Sequence, residues 1–132
     1  MNSSQNKSLT ESQVLINTRI NKTESLTKVE NSIRNMMGEK ITIRKTEDNY
    51  LICEDDLSVL SKINHWIIQN EMEELALNIF EKNKTENSLT FYINKQAALN
   101  NSFHMIDENM SPLGDIEVKI ITDNPEDRKS VV

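Results

Sequence analysis

The chain has 132 residues, a single cysteine and a formal net charge of -6, with an isoelectric point of about 5.0. This length predicts one domain, and a lone thiol without a histidine cluster excludes an internal disulfide and argues against a structural zinc site. The acidic balance repels phosphate on average, so nucleic-acid binding would need a local basic patch.

Both ends of the chain are polar. Residues 1–12 predict a disordered tail and residues 123–132 predict a second polar tail, which leaves residues 13–122 for one folded domain. No signal peptide and no apolar run long enough to cross a bilayer is visible, so we expect a cytoplasmic protein that does not engage a membrane.

The first predicted unit is a strand followed by a helix. Every second residue from 14 to 20 belongs to one face of the strand: Val14, Ile16, Thr18 and Ile20. Thr23 is the predicted N-cap of the helix, and Glu24 lies in its predicted first turn, where a negative charge suits the helix dipole. An apolar face at helical spacing runs from Leu26 to Met37, and Gly38 is placed to end the helix.

A hairpin and an acidic triplet come next. Ile41 and Ile43 alternate with polar residues, residues 46–49 predict a turn, and residues 50–53 return as a strand. The triplet Glu54-Asp55-Asp56 allows two interpretations, capping of the next helix or a metal site. Capping is favoured because no further ligand lies beside the triplet at a suitable spacing.

Residues 57–83 predict two helices rather than one, because their apolar faces differ in direction and the change falls near Asn70. Val59 and Trp66 widen the apolar arc of the first helix beyond what contact with a sheet requires. The extra flank would meet either the second helix or another subunit. Packing within the chain is the ordinary outcome for such residues, and a partner interface at Val59 and Trp66 is the alternative.

The last third of the chain predicts three strands. Residues 88–94 alternate strongly and should lie inside a sheet, and residues 95–99 predict a turn or short helix. Residues 102–107 and 116–120 predict further strands around a turn-rich loop at 108–115. The element order predicts an α+β fold, with a mainly antiparallel sheet of five or six strands and helices packed on it.

Two motifs in this region carry a family resemblance. The turn Asn94-Lys95-Gln96-Ala97-Ala98 follows an apolar strand, and the loop Ser111-Pro112-Leu113-Gly114 precedes the last strand. With these motifs the chain resembles, more weakly from about Val14 to Thr122, a family of uncharacterised archaeal proteins.

The resemblance implies a fold like that of the large-subunit ribosomal protein that binds 5S ribosomal RNA, which is related in shape to RNA-recognition domains. It implies no activity and brings no catalytic residues. Asn100-Asn101 stands where the family often has a glycine and a basic residue, which weakens a basic edge at this place.

An RNA-recognition sheet stacks bases on exposed aromatic rings and holds phosphates with cations. Tyr92 alternates away from the buried Phe91 and is the candidate ring. The candidate cations are close to the first strand, the hairpin and the family turn: Arg19, Lys22, Lys40, Arg44, Lys45 and Lys95. The alternatives are a solvated face for the patch and, for Lys95 and Gln96, hydrogen bonds that fix the turn.

Three further residues are candidates for reactive groups. His65 lies on the polar side of its predicted helix, and His104 alternates away from its apolar neighbours without a partner at a useful spacing. Cys53 ends a strand beside Glu54 and Asp55, whose charges raise a thiol pKa and so disfavour a nucleophile. We interpret Cys53 as a packing residue and expect no catalytic residue, cofactor or metal.

Three functions follow, in order of preference. The first is a non-enzymatic interaction protein, expected to be a homodimer, which fits the acidic charge and the apolar arc around Trp66. The second is an RNA-associated module that uses the sheet face and the basic patch. An enzyme comes third, because no catalytic pair stands at a useful spacing, and no small-molecule substrate is evident.

Overall fold

The computed structural model describes residues 12–122, which form one six-stranded antiparallel sheet and four α-helices. The strand order is β2-β3-β1-β6-β4-β5. The elements in chain order are β1 (Ser12–Arg19), α1 (Leu26–Met37), β2 (Arg44–Lys45), β3 (Tyr50–Asp55), a 3-10 helix (Leu57–Val59), α2 (Leu60–Gln69), α3 (Glu73–Asn83), β4 (Ser88–Ile93), α4 (Lys95–Leu99), β5 (Met105–Ile106) and β6 (Ile116–Thr122). This arrangement confirms the predicted α+β class.

The predicted tails lie outside the described residues, except for Ser12, which already belongs to β1. The longest helix within residues 12–122 has 12 residues, and none of the helices there is long and apolar enough to span a bilayer.

The sheet is organised around β1 and β6 rather than around β4. β1 pairs with β3 on one side and with β6 on the other. β4 pairs with β6 and β5, which confirms that it lies inside the sheet, one strand from the edge. At the centre, the Thr18 hydroxyl is buried and donates to the Asp115 carbonyl at 3.1 Å, which satisfies an inward-facing polar group.

Helix α1 begins two residues later than predicted. Ser25 is its N-cap and accepts a hydrogen bond from the Lys28 N–H at 3.4 Å. The prediction of Thr23 as the N-cap is wrong because the helix begins at Leu26 and Ser25 caps it. Glu24 therefore precedes the helix and does not lie in its first turn. Its carboxylate accepts from the Asn21 N–H at 2.9 Å and holds the preceding loop. Gly38, with φ of 111°, ends the helix as predicted.

The break between α2 and α3 is confirmed. Glu71 has a φ of 54°, a left-handed conformation that ends the first helix, and the second begins at Glu73. Of the acidic triplet, Glu54 and Asp55 belong to β3. Asp56 alone caps, with its carboxylate accepting from the Ser58 N–H at 2.9 Å.

The two faces of the sheet differ because residues alternate along each strand. We call one the covered face, since the helices pack on it and its strand residues are buried: Val14, Ile16, Thr18, Leu51, Cys53, Phe91, Ile93, Met105, Ile116 and Val118. The other is the open face, whose residues are half-buried or exposed: Gln13, Leu15, Asn17, Arg19, Arg44, Tyr50, Ile52, Glu54, Ser88, Thr90, Tyr92, Ile106, Glu117, Lys119 and Ile121.

Candidate nucleic-acid interface

Three of the predicted RNA-binding residues lie together on the open face. Arg19 pairs with Tyr50 across β1 and β3, Arg44 pairs with Ile52 across β2 and β3, and Tyr92 pairs with Glu117 across β4 and β6. Cross-strand partners point to the same side of a sheet, so these side chains share the surface that the helices of residues 12–122 leave uncovered.

The structure does not bring the other predicted lysines onto this face. Lys45 pairs with Leu51, whose side chain points to the covered face. The Lys45 side chain therefore lies on the covered side of the sheet and not on the open face. Lys40 lines a cavity near the end of α1 together with Ser58. Lys22 is exposed in the loop between β1 and α1. The predicted single patch is therefore divided.

Lys95 is buried, which contradicts its place among the candidate RNA contacts and agrees with the alternative, hydrogen bonds that fix the turn. Its side chain is 3 % exposed, and its ammonium donates to the Arg19 carbonyl at 2.8 Å, the Leu113 carbonyl at 2.9 Å and the Glu24 carboxylate at 3.0 Å. An ammonium has three protons, and all three are used. Lys95 ties the loop after β1, the loop before β6 and helix α4 together, which is the turn-fixing alternative.

Glu24 is held as an anion by this arrangement. Burial raises the pKa of its carboxyl, but hydrogen bonds from Asn21 and the hydrogen bond and charge of Lys95 outweigh burial and leave the pKa below its usual value. The ion pair is thus nearly enclosed and stabilises one end of the sheet, beside the open face.

A polar cavity of about 270 Å³ lies at that end of the open face. Most of its lining residues belong to the strands, and the loop before β6 closes one side. The lining residues are Asn17, Thr18, Arg19, Tyr50, Tyr92, Asn109, Gly114, Asp115 and Glu117. Tyr50 of β3 and Tyr92 of β4, which β1 and β6 separate, therefore line one cavity with Arg19 and Glu117.

Glu117 was not identified from the sequence, and it is the carboxylate with unused acceptor capacity in this cavity. Its Oε1 accepts from the Asn17 amide at 2.6 Å, and its Oε2 is 3.4 Å from the Tyr92 hydroxyl, which is long for such a bond. Burial raises the pKa of the Tyr92 phenol, and the charge of Glu117 and their hydrogen bond raise it further. The phenol therefore stays protonated as a donor at neutral pH.

Asp115 has a different role from Glu117. It is 4 % exposed, and its carboxylate accepts from the Met110 N–H at 2.9 Å, the Ser111 N–H at 3.0 Å and the Ser111 hydroxyl at 2.6 Å. These bonds shape the loop before β6. The Asp115 carboxylate is occupied by its own loop, which leaves Glu117 to meet a ligand.

Tyr50 and Lys119 were also missed, although a signal for both was present. In β3 the buried Leu51 and Cys53 set the alternation, which places Tyr50 and Ile52 on the open face. In β6 the buried Val118 places Lys119 there in the same way. The open-face residues carry three cations, Arg19, Arg44 and Lys119, and two carboxylates, Glu54 and Glu117, within a chain whose net charge is -6.

Val59 and Trp66, the predicted residues of a partner interface, both make contacts within the chain. Val59 is 8 % exposed and belongs to the core. The Trp66 ring stacks on Phe103 with centroids 6.0 Å apart, and its buried Nε1 has no hydrogen-bond acceptor among residues 12–122. Val59 therefore offers little surface to a partner, whereas Trp66 is half-buried.

The candidate reactive groups lie apart from the cavity. His65 and His104 are exposed. Cys53 is 2 % exposed on the covered face, and burial together with the charge of Asp55 raises the pKa of its thiol. The thiol is therefore protonated at neutral pH and packs against the core, as predicted.

Comparison with known proteins adds a family to this geometry. A family model described as RNA binding matches residues 13–122. A UPF0201 protein of Methanothermobacter thermautotrophicus is 33 % identical over 112 residues, covering 85 % of this chain and 83 % of that protein.

Two solved structures are similar to this chain. The crystal structure of an uncharacterised UPF0201 protein has a TM-score of 0.74 and 25 % identity, covering 89 % of this chain and 88 % of that one. The crystal structure of a UPF0201 protein from Methanococcus jannaschii has a TM-score of 0.68 and 28 % identity, covering 84 % and 82 %.

Proposed function

We propose a function from the premise that this chain belongs to the UPF0201 family of archaeal proteins, which the RNA-binding family model describes. The protein binds single-stranded RNA on the open face of its sheet and carries out no reaction on it. The observation that supports this proposal is the cavity that Tyr50, Tyr92 and Arg19 all line. We also propose that the fold is like that of the large-subunit ribosomal protein that binds 5S ribosomal RNA.

Single-stranded RNA fits this surface better than a duplex does. Unpaired bases can stack on aromatic rings, and each stacked base contributes about 1–3 kcal/mol. Tyr50 and Tyr92 supply two such half-buried rings on the open face. A paired base cannot leave its helix to enter the cavity without losing its own stacking, so a duplex should bind more weakly.

The net charge of the chain does not oppose this mode of binding at the open face itself. Arg19 and Arg44 are exposed there, and Lys119 lies on the same face, paired with Leu15 of β1. Phosphates that approach the open face meet these cations at short range, where local charge outweighs the screened charge of distant residues. We therefore place RNA binding before protein–protein contacts, the reverse of the order that the composition favours.

The test is a titration of a labelled single-stranded RNA of about ten nucleotides over a series of salt concentrations. The Arg19→Glu and Arg44→Glu variants should each weaken binding at least about tenfold and flatten the salt dependence, by about 0.7 in slope for each phosphate that the protein no longer neutralises. Lys28→Glu, the same charge change at an exposed position on α1, is the matched control and should change little. Equal losses of affinity in all three variants would contradict an open-face site.

A second candidate is self-association through the open face. Four apolar residues on it are only half-buried: Leu15, Ile52, Ile106 and Ile121. A second copy that packed there would remove them from water and form a homodimer. Sedimentation of Leu15→Glu against Trp66→Ala separates the two proposed anchors, because only the variant at the true interface should dissociate the dimer. A monomeric wild-type protein would eliminate this candidate.

A further inference from the structure

Among the residues that line the cavity on the open face, Glu117 and Arg19 are the two charged groups that residues 12–122 leave largely unpaired. The Oε2 atom of Glu117 has a single long contact, to the Tyr92 hydroxyl. The Arg19 side chain is exposed and forms no ion pair with any residue between 12 and 122. A ligand in this cavity would therefore meet the Glu117 carboxylate and the Arg19 guanidinium in a space that Tyr50 and Tyr92 also line.

A carboxylate is an unusual group to present to RNA, because it repels phosphate and cannot donate a hydrogen bond. It does suit a base edge that carries donors. At about 270 Å³, the cavity is smaller than pockets for drug-sized molecules and has the scale of one base. Glu117 is therefore placed to contact a base rather than the backbone.

The four RNA bases differ in how well their pairing edges match a carboxylate. Guanine has two adjacent donors, the N1–H and the N2 amino group, which can meet both carboxylate oxygens at once. Adenine and cytosine each present one amino group beside a ring nitrogen that is an acceptor, and uracil presents one N–H between two carbonyls. The acceptors of these three bases would face the carboxylate and be repelled by it.

Guanine also matches Arg19. Its O6 and N7 atoms are acceptors, and a guanidinium is the side chain that most often pairs with them. Arg19 and Glu117 line the same cavity, and Asn17 donates to Glu117 at 2.6 Å and so fixes the orientation of the carboxylate. Asn17 thus acts as a positioning residue.

We propose that this cavity is a guanine-specific subsite of the RNA-binding face, in which Glu117 accepts from the N1–H and N2 amino group while Tyr50 and Tyr92 hold the ring. This inference rests on the proposed function. The carboxylate gives the subsite its base preference, and the cations of the open face bind the backbone of any sequence.

The test uses short RNAs of about five nucleotides that are uridine throughout except for a central G, A, C, U or inosine. The wild-type protein should bind the G oligomer about tenfold or more tightly than the others, because hydrogen bonds to a charged group discriminate by this amount. Inosine lacks the N2 amino group and should fall between G and U.

The Glu117→Gln variant should lose the preference for G and the difference between G and inosine, because G loses its hydrogen bonds to the carboxylate and the other bases lose the repulsion that disfavours them. Circular dichroism and thermal unfolding verify that the variant is folded. The Arg44→Glu variant should instead weaken all five oligomers by the same factor.

Three other results would contradict the guanine subsite. Equal wild-type affinity for all five oligomers overturns the guanine subsite and leaves RNA binding intact. A G preference that survives Glu117→Gln also overturns it, since another group would then read the base. Failure to bind any of the oligomers at low salt overturns both the subsite and the proposed function.

Discussion

The covered and open faces of the sheet are built from alternate residues of the same strands, yet they have opposite properties. On β1, the buried Thr18 is followed by the exposed Arg19, and on β4 the buried Phe91 is followed by the half-buried Tyr92. The covered face is apolar and closed by helices, while the open face mixes tyrosines, cations and carboxylates. The covered face forms one side of the buried apolar core, and the open face is the one that we propose for RNA binding.

Truncating two neighbouring aromatic residues, one on each face, tests how far the two faces differ. Phe91 is 1 % exposed and packs against Phe80 with ring centroids 5.8 Å apart, so Phe91→Ala should lower the free energy of unfolding by about 4 kcal/mol. Tyr92→Ala should lower it by about 1 kcal/mol but weaken RNA binding. Urea unfolding measures the loss of stability in each variant. Losses of similar size would mean that the two faces do not differ in their contribution to stability.

Two cations that the sequence placed in the same candidate patch, Lys95 and Arg19, should respond oppositely to loss of their charge. Lys95→Met removes the buried ammonium from the Glu24 carboxylate and from two carbonyls, although Glu24 and Leu113 keep their hydrogen bonds from Asn21, and it should lower the free energy of unfolding by about 3 kcal/mol. Arg19→Met removes an exposed side chain and should change it by less than about 0.5 kcal/mol.

The two cation variants should show the opposite order in RNA binding. Arg19→Met should weaken binding directly. Lys95→Arg is the control for charge alone, because a guanidinium keeps the positive charge but does not fit three acceptors arranged around an ammonium. If Lys95→Arg were as stable as the wild type and Lys95→Met bound RNA poorly at full stability, Lys95 would be acting on RNA and not on the fold.

The class of fold and most elements were predictable because their signals are local. Alternation identified β1, β3, β4 and β6, and the change of apolar direction near Asn70 separated α2 from α3. The same alternation places Tyr50 and Lys119 on the open face. Those two residues were missed only because the period was not followed outward from the buried positions of each strand.

The role of Lys95 was not predictable in the same way. Its three acceptors are the Arg19 carbonyl, the Glu24 carboxylate and the Leu113 carbonyl, which lie 76, 71 and 18 residues away in the chain. A lysine within a polar turn is typical of an exposed residue, and only the assembled sheet brings these acceptors together. The cavity at Glu117 depends in the same way on residues from β1, β3, β4 and the loop before β6.

The third and smallest expected effect is a pH dependence confined to the ion pair beside the open face. The pKa of Glu24 is lower in the folded protein than its ordinary value of 4.5. The carboxylate therefore contributes its full stabilisation above about pH 4.5, and loses it as the pH falls through the folded pKa.

Glu24→Gln removes this titration and is the matched variant. It should be less destabilising than Lys95→Met, because Lys95 keeps two carbonyl acceptors. The difference in unfolding free energy between wild type and Glu24→Gln should be constant near neutral pH and shrink below about pH 4.5, as urea titrations at several pH values would measure. A difference that grew on acidification would reverse the sign of the pKa shift and mean that burial outweighs Lys95 at this site.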